Sequence, residues 1–318
     1  MLVLLGLLPL GGCPASTATR PAPAAPPRVA VARVSDGAGA ASYGGHRPAR
    51  PRGLAGRLFA VLDETARALG VNQGFSVDTG ALAAARLVCR NLPPSGPPAS
   101  TLVDFALRSS GIVEPPPHMV IADAPGGRDD DVVAGLADKL RKILAGKRYD
   151  RAGVAVAVPR ATPGRRRVVF MLFSSHVTFE PVPRRLTLGQ RVPLRFAVRS
   201  SHDKIALITT TPDDKIIRSP VAPGRDRRYR STLACERVGA YQVEVTGEGP
   251  LGVEVLANFP VHCGVAPPTQ LRYTLHRAVQ GSVSQLERQV FERSNALRSR
   301  RGLEPLDYDA ALARVARA

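Results

Sequence analysis

The stretch QRVPLRFAVRS, residues 190–200, sets Val192, Leu194, Phe196 and Val198 against Arg191, Pro193, Arg195 and Ala197. Side chains alternate sides along an extended chain, so this period of two predicts a strand with one buried and one wet face. The same period returns in YQVEVTG, with Tyr241, Val243 and Val245 in phase. It returns again in GVEVLANFPVHC, where Val253, Val255, Ala257, Phe259 and Val261 share one side.

With KIALITTTP and YRSTLACE lying between turn-forming residues, at least five short strands fall within residues 183–266. Such a run predicts an antiparallel β-sandwich of immunoglobulin-like kind. Parity also orients the cysteines: Cys235 shares phase with Leu233, and Cys263 with Val261 and Phe259, so both thiols point inward. In an exported chain they are expected to pair as a disulfide; two free buried thiols are the alternative. Tyr241, near the start of its strand, is expected to tie a neighbouring turn through its hydroxyl.

Upstream, residues 54–182 change period. LAGRLFAVLDETARALG places Leu54, Leu58, Val61, Leu62, Thr65 and Leu69 on one helical face, with Gly70 as the stop. DTGALAAARLVCRNL begins at a capping Asp78, turns Leu82, Ala85 and Cys89 inward, and ends at Pro93. A third helix carries Leu102, Phe105 and Ala106, and a fourth opens on Asp129, Asp130 and Asp131 and closes near Lys139, Arg141 and Lys142, matching the sense of the helix dipole. The strands PHMVIADAP, AGVAVAVP and RRVVFMLFSS complete an α/β layered unit.

The beginning of the chain speaks to location. An apolar run from Leu2 to Leu10, well short of the roughly 20 residues that span a bilayer, leads into Leu10-Gly11-Gly12-Cys13. This resembles the lipobox of bacterial lipoproteins, which implies a signal peptide over residues 1–13 and an acyl-modified Cys13. A plain secretory signal and a chance apolar start are the other readings, because no Lys or Arg precedes the run. Residues 14–53, rich in Ala, Pro, Gly and Arg, are expected to form a disordered tether.

The formal charge is +18, yet only five of the 44 basic residues are lysines. An excess of Arg with Ala, Gly and Pro is what a GC-rich genome writes, and the arginines fall in short clusters at 165–167, 225–230 and 298–301. Aromatic residues are 5% with no Trp, so the stacking partners of a nucleic-acid groove are missing and no nucleic acid is expected as a partner. Solvated turns are the simpler reading of the clusters.

No complete catalytic set is present: the chain has no His-Glu-x-x-His, Gly-x-Ser-x-Gly, phosphate loop or Cys-x-x-Cys. His176 and Glu180 lie four apart in a strand-like stretch, about 13 Å at the strand rise, too far to share one metal. His118 follows three prolines and reads as a loop residue, the three aspartates lack the alternation of a calcium loop, and Cys89 reads as inert core. No catalytic, cofactor or metal site is assigned.

At the other end, GSVSQLERQVFERSNALRSRRG pairs Ser282 with Gln285 as a capping box and sets Val283, Leu286, Val290 and Leu297 on one face, stopping at Gly302. Asn295, Arg298, Gly302-Leu303, Pro305-Leu306, Asp309, Leu312 and Ala316 follow in an order that resembles the opening of the CAP superfamily, also called SCP or cysteine-rich secretory protein domains. The resemblance implies that residues 281–318 are the first helices of an α-β-α sandwich domain that continues beyond them. TGALAAARLVCR and the strand pair after Tyr149 resemble parts of the same family, so the unit at 54–182 also reads as a degenerate CAP-like sandwich. The expected function is a non-enzymatic extracytoplasmic binding or structural lipoprotein, held to the membrane by its lipid and taking an envelope polysaccharide, lipid or protein as ligand. A cell-envelope hydrolase, metal-assisted and with its catalytic residues beyond Ala318, is the alternative.

Overall fold

The computed structural model describes residues 28–34, 39–70, 74–93, 96–125, 128–146, 148–158, 164–275 and 282–316. Two strands open it, β1 (Arg28–Arg33) and β2 (Ser42–Tyr43). The helix-rich part follows with α1 (Gly53–Ala68), α2 (Thr79–Asn91), α3 (Ser100–Ser109), β3 (His118–Pro125), α4 (Asp129–Leu144), β4 (Arg151–Ala157) and β5 (Arg165–Phe173). Then come β6 (Val177–Phe179), β7 (Val182–Pro183), β8 (Arg185–Leu186), β9 (Arg191–Val198), β10 (Asp203–Thr210), β11 (Ile216–Ser219) and β12 (Ala222–Pro223). The last elements are β13 (Arg228–Ala234), β14 (Gly239–Gly249), β15 (Gly252–Cys263), β16 (Gln270–Leu275), α5 (Val283–Arg300) and α6 (Ala310–Val315).

The chain is a mixed α/β fold dominated by antiparallel sheets. In its first half β3, β5 and β4 form a three-stranded antiparallel sheet with β5 in the middle. Pleating divides the central strand between two cores. Val168, Phe170 and Leu172 pack with α1 and α4, whereas Val169, Met171 and Phe173 pack with α2 and α3. Helices therefore cover both faces. α1 buries Leu54, Leu58, Leu62 and Ala66, and its stop is as expected, with Gly70 at φ +64° donating to the Arg67 carbonyl. Asp78 accepts the Ala81 amide at 2.8 Å and starts α2. That helix buries only small residues along much of its face, and it lies so close to β4 that a Cβ on Gly153 would stand 2.2 Å from the Ala81 carbonyl oxygen.

The second half is a β-sandwich. A five-stranded sheet, β11-β10-β14-β15-β8, faces a four-stranded sheet, β12-β13-β9-β6. Phe179, Leu194, Phe196, Leu207, Val243, Phe259 and Val261 fill the space between them, burial that supplies most of the driving force. Cys235 and Cys263 are bonded there, with Cα atoms 5.6 Å apart, and both residues are fully buried. The Tyr241 hydroxyl accepts the Arg237 amide at 2.8 Å, the turn tie expected of it.

Four expectations need correction. The sandwich begins before residue 183, because Val177 and Phe179 of β6 already lie in its core and pair with β9. Val253 and Val255 do not face inward; they are 74% and 41% exposed. The register slips between Val245 and Thr246, which leaves Leu256 as an extra residue on β15, and one extra residue reverses the side each later side chain takes. Leu256 is the residue that is buried. His118 is no loop residue but opens β3, opposite Leu172.

The largest correction concerns the tether expected over 14–53. Residues 14–27 and 35–38 lie outside the described set, but β1 pairs with β16 along its full length and Tyr43 is fully buried, 4.7 Å between ring centroids from Phe259 in the sandwich core. The Gly44 amide donates to the Gly111 carbonyl and the His46 ring meets the same oxygen at 2.9 Å, which straps this segment over the end of α3. Composition predicted disorder because the segment has few apolar residues of its own. Its order comes from backbone bonds to a strand far downstream, which no local window contains.

Candidate functional site

The outer face of the four-stranded sheet carries the most unusual side-chain arrangement. Val192, Leu194, Phe196 and Val198 of β9 point into the sandwich, so Arg195 must point out, and the pairing of β9 with β13 sets Arg195 directly opposite Arg230. Arg228 lies two residues along β13 on the same side, and Arg199 follows the end of β9. Arg225 comes from the loop before β13. These five arginines and Tyr229 border a cleft of about 830 Å³.

The chemistry of the cleft is lopsided. Glu180 reaches Arg195 at 3.4 Å, and both side chains are at least half exposed, so the pair contributes little. Asp226 is the other carboxylate on the rim. Among the described residues, Arg199, Arg225, Arg228 and Arg230 have no carboxylate within 4.0 Å. Like charges directly opposite on neighbouring strands are destabilising. On the inner face of the same sheet Tyr229 stacks on Phe196 at 5.5 Å and 19°, and Phe196 meets Phe179 at 5.1 Å, so these rings belong to the sandwich core.

The loop that supplies Arg225 is held in place. Asp226 and Arg227 both have φ +55°, a left-handed conformation that costs energy in residues other than Gly. The Gly224 amide closes the loop on the Arg228 carbonyl, and the Arg227 guanidinium donates to the His202 carbonyl.

Two other polar clusters are buried and read as structural. Arg151 lies with its Nε 3.1 Å from Asp78, its Nη1 against Glu114 and its guanidinium 4.8 Å over the Phe173 ring. The Ser175 hydroxyl also donates to Glu114, at 2.8 Å. This knot joins the cap of α2, the start of β4 and the end of β5. In the sandwich the His202 ring meets the Ser200 hydroxyl at 2.7 Å through Nδ1 and Glu254 at 3.3 Å through Nε2. A hydroxyl, an imidazole and a carboxylate in a row suggest a catalytic relay. Yet the His202 side chain is only 7% exposed, and Gly247 and Gly249 cradle it, since Cβ atoms added there would stand 2.8 Å from its Cβ and its Nε2 respectively. It clamps the start of β10 to the β14–β15 hairpin.

His176 and Glu180 are not brought together. The His176 ring packs 5.1 Å from His202, and burial, followed by the neighbouring His202, lowers its pKa, while Glu180 turns to Arg195. Asp129 pairs with Arg166 and Asp130 with Arg57, the helix-start role expected of them. Cys89 is buried, and desolvation pushes its thiol up to about 11, which makes it a poor nucleophile. Cys13 lies outside the described residues. Among those residues no group of three or more His, Cys, Asp or Glu could hold a metal ion, and no helix is long and apolar enough to cross a membrane.

The motif residues near the end of the chain build a turn. The Asn295 side chain donates to the Leu306 carbonyl at 3.0 Å and accepts its amide at 2.7 Å, and Arg298 donates to the Glu304 carbonyl at 2.6 Å. Asp309 caps α6 through the amides of Ala311 and Leu312. Nothing on α5 or α6 is buried, and Val290, Leu297, Leu312 and Val315 are all more than half exposed.

The sequence shows the arginine clusters but not the cleft, because a one-sided arginine face depends on β9 pairing with β13 in this register.

No family model matches the chain, and no curated protein does. Among solved structures, a DUF4785 family protein from Legionella pneumophila is similar over 34% of this chain and 34% of its own, at 7% identity and a TM-score of 0.23. Fibronectin(III)-like modules of Clostridium thermocellum CbhA are similar over 29% of this chain and 99% of theirs, at 18% identity and a TM-score of 0.21. The chain therefore spans about a third of the length of the first. At these scores neither likeness carries an argument, and the two-sheet description rests on the strands themselves.

Proposed function

We propose that the protein is a non-enzymatic, extracytoplasmic binding lipoprotein of CAP-like kind, and that the arginine cleft on its sandwich is its ligand face. In this reading the layered unit is a degenerate CAP-like domain, the sandwich is immunoglobulin-like, and residues 281–318 open a further CAP domain. An acyl chain on Cys13 holds the whole to a membrane. The single observation that supports binding is the opposition of Arg195 and Arg230 on an open sheet face, where the fold itself gains nothing from two facing cations. The bonded Cys235 and Cys263 suit an oxidising compartment.

The test is retention on isolated bacterial envelope material. Saturable sedimentation of the full chain with envelopes, lost when Arg195 and Arg230 are replaced by Gln, is expected; sedimentation indifferent to those residues overturns the assignment of the face. Radiolabelled palmitate should enter the wild type and not a Cys13→Ser variant.

A further inference from the structure

The N-terminal strap over residues 39–46 is held to the rest of the chain at few points. Its ladder with β7 is two residues long, Ser42 with Pro183 and Tyr43 with Val182. Around that ladder the Arg184 amide donates to the Ala41 carbonyl, the Ala40 amide to that of Ser109 and the Gly44 amide to that of Gly111. The side chain that closes the strap is Arg184. Its Nη1 donates to the carbonyls of Ala40, at 2.9 Å, and Ser109, at 3.4 Å, and its guanidinium lies 5.7 Å from the centre of the Tyr43 ring. We propose that this strap is an acid-released latch, with Arg184 as its clasp and His262 as its trigger.

The clasp closes at a cost. Arg184 is only 6% exposed, and among the described residues no carboxylate lies within 4.0 Å of its guanidinium. Its Nε, the Tyr43 hydroxyl and His262 Nε2 are all buried without a hydrogen-bond partner in the chain. A guanidinium withdrawn from water without a counter-charge is destabilising, and each buried polar atom left unpaired adds to that. His262 adjoins the clasp, because its amide donates to the Arg184 carbonyl at 2.9 Å, and it is buried as well.

The surroundings of His262 do nothing to soften a second positive charge. Across its two ladders it meets Arg185 of β8 and Ala240 of β14. The strap brings the Tyr43 phenol, whose pKa burial raises, so it stays neutral in acid, and His46, whose ring meets the Gly111 carbonyl. The end of α3 brings Arg108, already paired with Asp104 at 3.0 Å. Burial, and then Arg184, holds the His262 pKa below the ordinary 6.5. The latched strap therefore keeps the ring neutral, whereas release lets water reach both residues and the ring take its proton near the ordinary value. Latching is fully stable above pH about 6.5 and weakens as the pH falls through the latched-state value.

Amide hydrogen exchange on the full chain, each rate corrected for the intrinsic pH dependence of exchange, reads the strap directly. Protection of the Ala40 and Gly44 amides should fall at least about threefold between pH 7.5 and 5. At pH 5 it should still lie at least roughly tenfold below that of the Val243 amide in the sandwich core, which marks a local opening. His262→Gln, which cannot take the proton, should shrink the ratio between the two pH values to less than about 1.5-fold. His46→Gln, which removes the imidazole on the strap itself, should leave the ratio as it is. Should His262→Gln not fold, the ring titration in the wild type decides, and nuclear magnetic resonance should place it below pH 6.5. Equal protection of strap and Val243 at pH 5, an acid response lost in His46→Gln but kept in His262→Gln, or a His262 ring that titrates at 6.5 or above overturns the inference.

Discussion

Arginine does opposite work in the two halves of the molecule. In the helix-covered half Arg108, Arg151 and Arg167 are withdrawn from water, and each meets a carboxylate: Asp104 at 3.0 Å, Asp78 and Glu114, and Asp123 at 2.8 Å. In the sandwich Arg199, Arg225, Arg228 and Arg230 are exposed and lack such partners among the described residues. Residue type and genomic bias are shared, so neither explains the difference. What differs is whether the fold brings an acid to the guanidinium. Where it does, as at Arg151, the guanidinium is withdrawn into the scaffold; where it does not, as at Arg230, the guanidinium stays in water.

The comparison breaks first at Glu114. Its carboxylate is almost fully buried against Arg151, and Glu114→Ala should cost about 3 to 5 kcal/mol, because a withdrawn cation loses its main counter-charge. Urea unfolding measures it, and a loss below about 1 kcal/mol, the value of an exposed pair, would remove the contrast between the halves. Among the described residues the sandwich has no comparable arginine–carboxylate knot in its core, and it is closed instead by Cys235–Cys263, a loop of 28 positions. Chain entropy assigns that closure roughly 3 to 4 kcal/mol. Cys235→Ser should lose about that much, and reductant should destabilise the wild type equally while leaving the variant unchanged.

Acid should weaken the sandwich through histidine. Burial lowers the pKa of His176 and of His262, with help from His202 and from Arg184 respectively, relative to the ordinary 6.5. A depressed histidine is neutral when folded, so the unfolded chain binds the extra proton first. The stability is fully present above pH about 6.5 and is lost as the pH falls through the folded-state values. Thermal midpoints should therefore drop between pH 7.5 and 5, and His262→Gln should flatten part of that drop. An unchanged profile in the variant would mean that other groups carry it.

The smallest effect is the most diagnostic. Arg230→Thr removes a cation facing Arg195 and places a β-branched residue on a strand, so the unliganded protein should gain a few tenths of a kcal/mol while binding weakens. A gain in stability with a loss of ligand is what separates a binding face from a structural one. Loss of both would return Arg230 to the scaffold.

Much of the local architecture was legible. Asp78 and the Ser282–Gln285 box start helices where their side-chain oxygens meet free amides, and Gly70 ends one because it alone tolerates a left-handed turn cheaply. Cys235, Cys263 and Tyr241 were placed by counting in twos from residues already assigned inward. The count failed at Val253 and Val255, because one extra residue at Leu256 resets the phase and nothing in the composition of that stretch announces it. It failed again at β1, whose partner β16 follows the sandwich strands in the chain.

The sequence alone thus determined the four helices of the first half, most strands of the sandwich and which two thiols could meet, because caps, turns and periodicity are short-range interactions. Only the tertiary structure decided that the N-terminal strap is ordered and that Arg195 stands across from Arg230. Both depend on strand pairing and register, which are set by contacts between segments distant in the chain and leave no trace in any local window.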